Sequence, residues 1–432
     1  MKKTISILSL GCPRNLVDSE KLLAEFTKKS YKFRGDSLNS DTVIVNTCAF
    51  IEDARKESVD AILKIIDAKN EGRVKKIIVA GCLSERYRDE LREELKEVDE
   101  FRGVFDFNGH NNVGEGLKPS PTRLTPKHYA YIKISEGCAN RCTYCIIPYL
   151  KGKYKSKAIG AIKEEAAGLI RDGVKELILI GQDTSLYGVD LYGEKRLADL
   201  LRELSGISRD IWIRLLYLHP ANLDKEVIKV IRDNENICRY IDLPLEHIND
   251  RILTRMARLV NKEKIIHLIE YIRNQIPGVS IRTSFIVGFP GESDKEFKEL
   301  MSFIKEIKFE RLGVFKYSRE EGTPAYRYKN QIPEKEKERR FNIIMSVQQD
   351  VSRRIGERLE GRTLKVLIEE KGKDYYAGRT EYDSPDIDGM VYIKGKNLRI
   401  GDFYDVRITD TYEYDLRGET CPTQPVRLRE SP

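Results

Sequence analysis

The sequence predicts an α/β protein built in three parts, and three patterns support that prediction. An apolar strand, a cysteine and a helix follow one another three times in the first ~110 residues. Six further strand-like runs alternate with helical segments across the next ~200 residues, as in a parallel sheet or barrel. Five short strand-like runs come last, in ~65 residues, which is typical of a small OB-like barrel.

The composition is that of a globular chain with several cores. The 432 residues suggest about three domains of ~150 residues each. Hydrophobic residues make up 40% and charged residues 34% of the chain. No apolar run approaches the ~18 residues of a membrane span, so no membrane partner is expected. The short apolar start at 4–10 contains Thr and Ser, and predicts a first strand better than a secretion signal. Eight cysteines in this length are not a disulfide framework, which indicates a reducing cytoplasm.

The first part places a cysteine just beyond each of three strands, at Cys12, Cys48 and Cys82. The carboxyl ends of parallel strands lie along one edge of a sheet, where ligands bind, so these thiols are expected to converge. Three ordinary buried thiols are the alternative. Their equivalent positions favour a three-thiolate iron–sulfur site with one iron left open. The strands are expected at 4–10, 42–46 and 76–80, and the helices at 18–29, 52–69 and 85–95.

A second set of three cysteines opens the central part, at Cys138, Cys142 and Cys145. A closed structural zinc site normally takes four ligands, so three thiolates fit such a site poorly. In a four-iron cluster, three thiolates leave one iron free to bind a reactant. The alternatives are a zinc knuckle that lacks a ligand, or three chance thiols.

Three prolines within 119–126 predict a connector, and a new domain begins at about His128. The central strands are expected at 129–134, 176–180, 211–216, 240–243, 280–287 and 312–317. Helices are expected between them at 159–171, 197–204, 223–232, 262–274 and 293–307. A long charged helix at about 334–360 then leads to the last part, with strands at 362–368, 375–380, 390–393, 403–411 and one final short run.

Charge is distributed unevenly along the chain. Residues 362–427 hold 11 Lys/Arg against 13 Asp/Glu, a net charge of −2. The rest of the chain has a net charge of +9, and the two parts together give the total of +7. A surface that binds RNA should be basic, so an acidic barrel suits a basic protein partner better. A charge-mixed, solvated barrel with no partner is the alternative. The acidic residues are Asp383, Asp386, Asp388, Asp402, Asp405, Asp410, Glu413, Asp415 and Glu419.

The spacing of the second cysteine set, with Tyr144 just before its last cysteine, resembles the signature of radical S-adenosylmethionine (SAM) enzymes. The resemblance implies a six-stranded partial barrel in which the amino and carboxylate groups of SAM chelate the open iron. It also implies that the reduced cluster passes one electron to SAM and releases a deoxyadenosyl radical. The segment Gly181-Gln182-Asp183 resembles the part of that family that lies near SAM. Tyr144, Gln182 and Asp183 are therefore expected in the vicinity of SAM.

The first part resembles the methylthiotransferase family, radical SAM enzymes that hold a second, auxiliary cluster. The resemblance rests on Leu10-Gly11-Cys12-Pro13, on Asn46-Thr47-Cys48-Ala49-Phe50-Ile51 and on Cys82-Leu83-Ser84-Glu85-Arg86-Tyr87. Within that family these segments resemble the RimO branch, which methylthiolates an aspartate of small-subunit ribosomal protein S-twelve. The branches that modify tRNA usually have Gln after the first cysteine.

The family resemblance implies a complete set of expectations. Cys12, Cys48 and Cys82 hold one 4Fe–4S cluster, which presents sulfur, and Cys138, Cys142 and Cys145 hold the 4Fe–4S cluster that cleaves SAM. SAM is both the radical source and the methyl donor, and the last part is a TRAM domain. The expected domains are 1–118 for the methylthiotransferase part, 119–127 for the linker, 128–355 for the radical SAM core and 356–432 for TRAM.

The predicted activity is methylthiolation of the β-carbon of the ribosomal-protein aspartate, in the cytoplasm. The expected partners are ribosomal protein S-twelve, on the small subunit, and an electron donor such as flavodoxin or ferredoxin. Two alternatives stay open. One is a methylthiotransferase acting on an adenosine of tRNA, which the acidic last part and the signatures of the first part argue against. The other is an iron–sulfur electron carrier or redox sensor, for which a barrel-sized central domain is unnecessary.

Overall fold

A computed structural model describes residues 3–104 and 123–421, and the structural statements below refer to those ranges. The first domain is a five-stranded parallel sheet in the order β2-β1-β3-β4-β5. Its central strands are apolar and buried on both faces, as Val43, Ile44 and Val45 show, because helices cover the sheet. The strands are β1 Thr4–Ser9, β2 Lys32–Phe33, β3 Thr42–Thr47, β4 Lys76–Gly81 and β5 Glu100–Phe101, and the helices are α1 Pro13–Lys28, α2 Glu52–Asn70, α3 Cys82–Arg86 and α4 Arg88–Glu94.

The central domain contains two three-stranded parallel sheets, β10-β9-β6 and β11-β12-β13. A parallel bridge between Ile213 and Ile237 joins them into one six-stranded curved sheet, as expected for a partial barrel. The strands are β6 Tyr129–Lys133, β7 Ser135–Glu136, β8 Lys155–Ser156, β9 Glu176–Ile180, β10 Trp212–Leu215, β11 Tyr240–Asp242, β12 Ser280–Val287 and β13 Arg311–Lys316. The helices are α5 Ile147–Lys151, α6 Ile159–Arg171, α7 Val189–Tyr192, α8 Leu197–Ser205, α9 Lys225–Asp233, α10 Asp250–Arg255, α11 Lys262–Gln275, α12 Asp294–Ile307 and α13 Glu334–Glu357.

The last domain is a closed five-stranded barrel in the order β14-β15-β16-β18-β17. Alternate residues of its strands point inward, and Val366, Ile368, Val391 and Ile393 form much of its core. The strands are β14 Thr363–Lys371, β15 Tyr376–Thr380, β16 Val391–Lys394, β17 Phe403–Thr411 and β18 Leu416–Thr420. Across the described ranges, no helix is both long enough and apolar enough to span a membrane.

The α/β fold class and the closed C-terminal barrel are confirmed, with local differences at helix starts. Helix α1 begins at Pro13, five positions earlier than the expected residue 18, because proline suits the first helical position and Cys12 supplies an extended N-cap. The expected helix at 85–95 is two helices, which break at Tyr87 (φ −130°, ψ 37°). Strands β2 and β5 have two residues each and are too short to leave a periodic pattern.

The acidic residues of the C-terminal barrel are placed differently from the sequence expectation. Asp383 is buried and forms an ion pair with Arg311 at the start of β13. Asp388 accepts a 2.6 Å hydrogen bond from the Tyr240 hydroxyl, with its side chain only 3% exposed. Only Asp386 of these three is exposed. Asp383 and Asp388 therefore do not contribute to an exposed acidic face, because both bind the central domain.

A buried ion network completes this docking. Glu176, the first residue of β9, accepts hydrogen bonds from Arg214 at 2.6 Å and from Arg379 of the C-terminal barrel at 2.5 Å. Arg379 also pairs with Glu369, whose other neighbour is His128. The C-terminal barrel therefore sits against the amino ends of the central strands, at the end of the sheet opposite the cysteine loops.

Candidate functional site

The first cysteine set lies at the carboxyl edge of the N-terminal sheet, where two tight glycine turns bring its members together. Gly11 and Gly81 have φ of +84° and +92°, a conformation that favours glycine. A Cβ on Gly11 would lie 2.7 Å from the Cβ and 2.8 Å from the Sγ of Cys48. A Cβ on Gly81 would lie 2.6 Å from the carbonyl oxygen of Thr47, so only glycine fits at either turn. The turn before Cys12 therefore packs directly against Cys48.

The thiols of this set influence one another electrostatically. Burial raises the pKa of Cys48, and the neighbouring Cys12 raises it further. Burial also raises the pKa of Cys82 to about 12, with Cys48 and Cys12 adding to the effect and Lys151 opposing it. For Cys12, burial acts to raise the pKa, but the Arg14 guanidinium outweighs it and leaves the pKa lowered. Cys48 and Cys82 are therefore each close enough to Cys12 for it to act on their pKa, and the use of all three as ligands of one cluster stays a prediction.

The second cysteine set lies in the loop that follows β7. Gly137 has φ of +74°, and a Cβ there would lie 2.7 Å from the carbonyl oxygen of Gly152. The loop is held at its centre by Thr143, whose N–H donates to the carbonyl of Met256 at 3.1 Å. Burial raises the pKa of Cys145 to about 12, and the nearby thiols of Cys142 and Cys138 raise it further. All three cysteines are half-buried as residues.

Two cations lie between the cysteine sets. The Nε of Arg14 is 3.4 Å from the Sγ of Cys12, and its Nη1 donates to the carbonyl of Gly181 at 3.1 Å. The Arg14 guanidinium also stacks 4.5 Å from the Tyr217 ring and acts on the pKa of Cys145. Lys151, at the end of the helix that follows the second loop, lowers the pKa of both Cys12 and Cys82. Arg14 therefore lies near thiols of both sets, and Arg14 and Lys151 make the gap between the two domains positively charged.

A buried group of four alternating charges anchors this gap, and the sequence alone did not identify it. Lys133 bonds to Asp18 of α1 and to Glu136, the latter at 2.5 Å. Lys151 bonds to Asp18 at 3.2 Å and lies 3.8 Å from Glu136. Every member has a side chain no more than 6% exposed. Since Asp18 belongs to the first domain and the others to the central domain, the group joins the two domains.

The three residues predicted near SAM lie beside the second cysteine set, but in different roles. The Tyr144 hydroxyl is 3.5 Å from Nη1 of Arg258, and burial raises its pKa well above the usual range. The Gln182 amide donates to Glu136 at 2.5 Å, while its buried Oε1 has no hydrogen-bond partner among the described residues. Asp183 is committed to protein contacts, since its Oδ2 accepts from Asn140 at 2.7 Å and from Asn222 at 2.8 Å. Asp183 therefore fixes the cysteine loop through Asn140.

The structure adds two residues that had no distinctive sequence pattern. Nη1 of Arg258 lies 3.5 Å from the Sγ of Cys142, which places a third cation at the site. Glu246 is close enough to act on Arg258, and burial raises its pKa to about 7. His247 is fully buried, with Nε2 3.6 Å from Glu292, and is packed in the core.

The donor chemistry fits two iron–sulfur clusters with incomplete protein ligation. Each set offers three thiols, the ligands of a four-iron cluster, and leaves a fourth position for a ligand that the protein does not supply. The cations Arg14, Lys151 and Arg258 suit the negative charge of thiolate-bound clusters. Within the described ranges, no three His, Cys, Asp or Glu side chains are placed so that they could together hold a single metal ion.

Comparisons with known protein families match the three domains separately. The Radical SAM superfamily matches residues 132–304, the uncharacterized protein family UPF0004 matches residues 4–103, and the TRAM domain matches residues 361–421. Among solved structures, a radical S-adenosylmethionine methyltransferase, TsrM, from Kitasatospora setae is similar with a TM-score of 0.51 at 13% identity. That similarity covers 87% of this chain and 77% of the other, and it concerns the fold alone.

Full-length relatives are much more similar. The ribosomal protein uS12 methylthiotransferase RimO of Clostridium novyi is 47% identical over 96% of this chain and 98% of its own length. The enzymes of the same description from Thermoanaerobacter sp. and Bacteroides fragilis are 46% and 43% identical, and the matches cover 96% and 97% of this chain. The full-length relatives confirm the expected family, and the three family models match three successive parts of the chain.

Proposed function

This chain belongs to the ribosomal protein uS12 methylthiotransferase (RimO) family of radical SAM enzymes, and we propose that it methylthiolates the β-carbon of an aspartate in uS12. The family uses SAM and 4Fe–4S clusters. The observation that supports the assignment most directly is the presence of two three-thiol sets with Arg14 near both, 3.4 Å from the Sγ of Cys12 and close enough to act on the pKa of Cys145. A carrier of electrons would need neither a second open set nor a large central barrel.

We assign the cluster ligands by set. Cys138, Cys142 and Cys145 hold the cluster at which SAM binds, and Cys12, Cys48 and Cys82 hold the auxiliary cluster. When bound, the two clusters and SAM supply reductive SAM cleavage, hydrogen abstraction from the substrate carbon, the sulfur atom and the methyl group. Three of these six cysteines directly follow a glycine, namely Gly11, Gly81 or Gly137. Each of these glycines forms a tight turn that leaves no space for a Cβ, and the turn positions the cysteine after it.

The chain's own side chains orient these groups. Asp183 holds Asn140, and with it the loop between Cys138 and Cys142, in one conformation. Among the described residues, the buried amide oxygen of Gln182 has no hydrogen-bond partner, and it could accept from the amino group of SAM. Arg14 and Lys151 carry positive charge into the gap, where a substrate aspartate would arrive as a carboxylate. Tyr144 packs against the apolar cluster that contains Ile252 and Met256.

The remaining assignments concern the partners and the organisation of the chain. We propose that the substrate is uS12 on the small ribosomal subunit, and that flavodoxin or ferredoxin supplies electrons in the cytoplasm. We also propose the domain limits 1–118, 128–355 and 356–432, with 119–127 as the linker. The contacts of Asp383 and Asp388 with the central domain remove those two residues from any substrate surface.

Mass spectrometry on a strain that lacks this protein tests the assignment. Intact uS12 from the deletion strain should lack the mass of one methylthio group, and a plasmid copy should restore it. The matched control is a plasmid copy with Cys48→Ala, which should leave uS12 unmodified. Nucleosides from tRNA of the same strains should be unchanged. Loss of a methylthiolated adenosine with unmodified uS12 in every strain would instead assign the chain to tRNA.

A further inference from the structure

One buried carboxylate of the central domain, that of Glu320, contacts the first domain close to the segments that contain Cys48 and Cys82. Glu320 follows β13, and its side chain is 2% exposed. Its Oε2 accepts a 2.7 Å hydrogen bond from Nη1 of Arg86 and also pairs with Arg55 of α2. Its Oε1 accepts from the hydroxyl of Ser318 at 2.6 Å, which fixes the carboxylate on its own domain.

Arg86 links this carboxylate to the cysteine turns. It lies in α3, the five-residue helix whose first residue is Cys82. Its Nη1 also donates to the carbonyl of Ala49, the residue after Cys48, at 3.2 Å. Its Nη2 donates to the carbonyl of Glu321 at 2.7 Å, and the side chain is 5% exposed. A single guanidinium therefore joins the segments of Cys48 and Cys82 to the central domain.

The third thiol of the first set is tied to the central domain elsewhere. Cys12 caps α1, and α1 carries Asp18 into the buried four-charge group with Lys133 and Lys151. Buried polar contacts thus attach the first domain to the central one both near Cys12 and near Cys48 and Cys82. Loss of the second attachment would leave the segments of Cys48 and Cys82 held less firmly than that of Cys12.

We propose that Glu320 is a positioning residue which, through Arg86, holds Cys48 and Cys82 at the correct distance from the second cysteine set. The consequence for the reaction rests on the proposed function. Loss of the link leaves the second set intact, so SAM is still cleaved. The sulfur source would then lie out of reach of the substrate carbon, so deoxyadenosine would form without a matching amount of methylthiolated uS12. A displacement of about 1 Å at a reacting centre can lower a rate on the order of 100-fold.

The test compares Glu320→Gln with Glu321→Gln in the reconstituted holoenzyme. Glu321 has an exposed side chain and contributes only its backbone carbonyl to Arg86, so it is a matched control one position away. The measurements are deoxyadenosine formed per methylthiolated uS12, and amide hydrogen exchange in α3 and in 48–58. Glu320→Gln should raise the ratio at least about tenfold, with an unchanged rate of SAM cleavage. Exchange should accelerate in both segments, and Glu321→Gln should match the wild type.

Arg86→Lys provides a second variant in case Glu320→Gln does not fold. Lysine keeps the positive charge beside Glu320 but has no planar fork, so it cannot serve Glu320, Ala49 and Glu321 at once. The ratio should shift in the same direction, by less. Unchanged exchange in α3, or faster exchange with an unchanged ratio, would overturn the proposal. If wild-type enzyme made no methylthiolated uS12, the proposed function would fail, while the exchange comparison would still decide whether Glu320 holds the cysteine segments.

Discussion

Replacing Arg379 by Met should loosen the docking of the C-terminal barrel on the central domain. The Arg379 guanidinium is 1% exposed and donates at 2.5 Å to Glu176 and at 2.6 and 2.9 Å to Glu369. It also donates at 2.8 Å to the carbonyl of Asp383. Methionine fills much of the same space but provides none of these donors.

The free-energy cost of this substitution depends on which charged groups stay buried without their partner. Removing one partner of a buried ion pair typically costs about 3–5 kcal/mol, because the other charge stays desolvated. Glu176 keeps Arg214 at 2.6 Å, and Glu369 is 10% exposed, so the lower end applies. A loss of about 3 kcal/mol corresponds to a change on the order of 100-fold in the equilibrium between docked and undocked barrel.

Hydrogen exchange measures this equilibrium locally. Amides of 380–388 and of the start of β9 should exchange on the order of 100-fold faster in Arg379→Met, since undocking exposes them. Arg417→Met is the matched control, because Arg417 is exposed on the same barrel. Its exchange should equal that of the wild type.

A double-mutant cycle shows whether the buried pair is responsible. Glu176→Gln combined with Arg379→Met should destabilise the docking by less than the sum of the two single changes, because the two groups contact each other. Unaltered exchange at 380–388 in Arg379→Met, or strictly additive effects in the cycle, would refute the reasoning. The barrel would then be held by its other contacts.

Three further predictions follow from the thiol sets and the docking network. Replacing Cys138, Cys142 and Cys145 together by Ala should halve the iron content and leave one four-iron cluster, and iron analysis showing all or none of the iron would contradict the two-site assignment. Cys48→Ala should still convert SAM to deoxyadenosine but form no methylthio product on purified uS12, and product from this variant would exclude the first set as the source of sulfur. Burial acts to raise the pKa of Glu369, but His128 and Arg379 outweigh it and lower the pKa to about 2, from an ordinary value of about 4.5. The stabilisation by Glu369 is therefore complete above about pH 4.5 and is lost as the pH falls towards 2. The melting temperature of Glu369→Gln should therefore fall less steeply than that of the wild type as the pH is lowered, and parallel curves of melting temperature against pH would refute this.

The pattern of strands, helices and cysteines was readable from the chain because its signals are local. Periodic apolar runs placed three of the five strands of the first domain, and all six strands of the central sheet, within a few residues of their observed positions. The equivalent position of Cys12, Cys48 and Cys82 after three parallel strands was enough to predict their convergence. Strands β2 and β5 were missed since two residues form no pattern.

The charge balance of the last segment does not reveal which of its carboxylates are exposed. The balance of −2 over 362–427 is a sum, and it does not show which carboxylates face another domain. Asp383 and Asp388 are used to bind Arg311, Arg282 and Tyr240, so the acidity of the segment serves in part to attach it. Only the packing of the two domains separates these carboxylates from exposed ones such as Asp405 and Asp410.

The sequence by itself determined the fold class, the three-part layout and the two sets of three thiols, because each depends on residues close together in the chain or on one repeated strand-to-helix unit. The tertiary structure alone decided how the sets face one another. Arg14 reaches Gly181 across 167 positions, and Arg86 reaches Glu320 across 234. No periodicity connects residues so far apart. Their contact arises only when the first domain packs on the central one and buries the charges that join them.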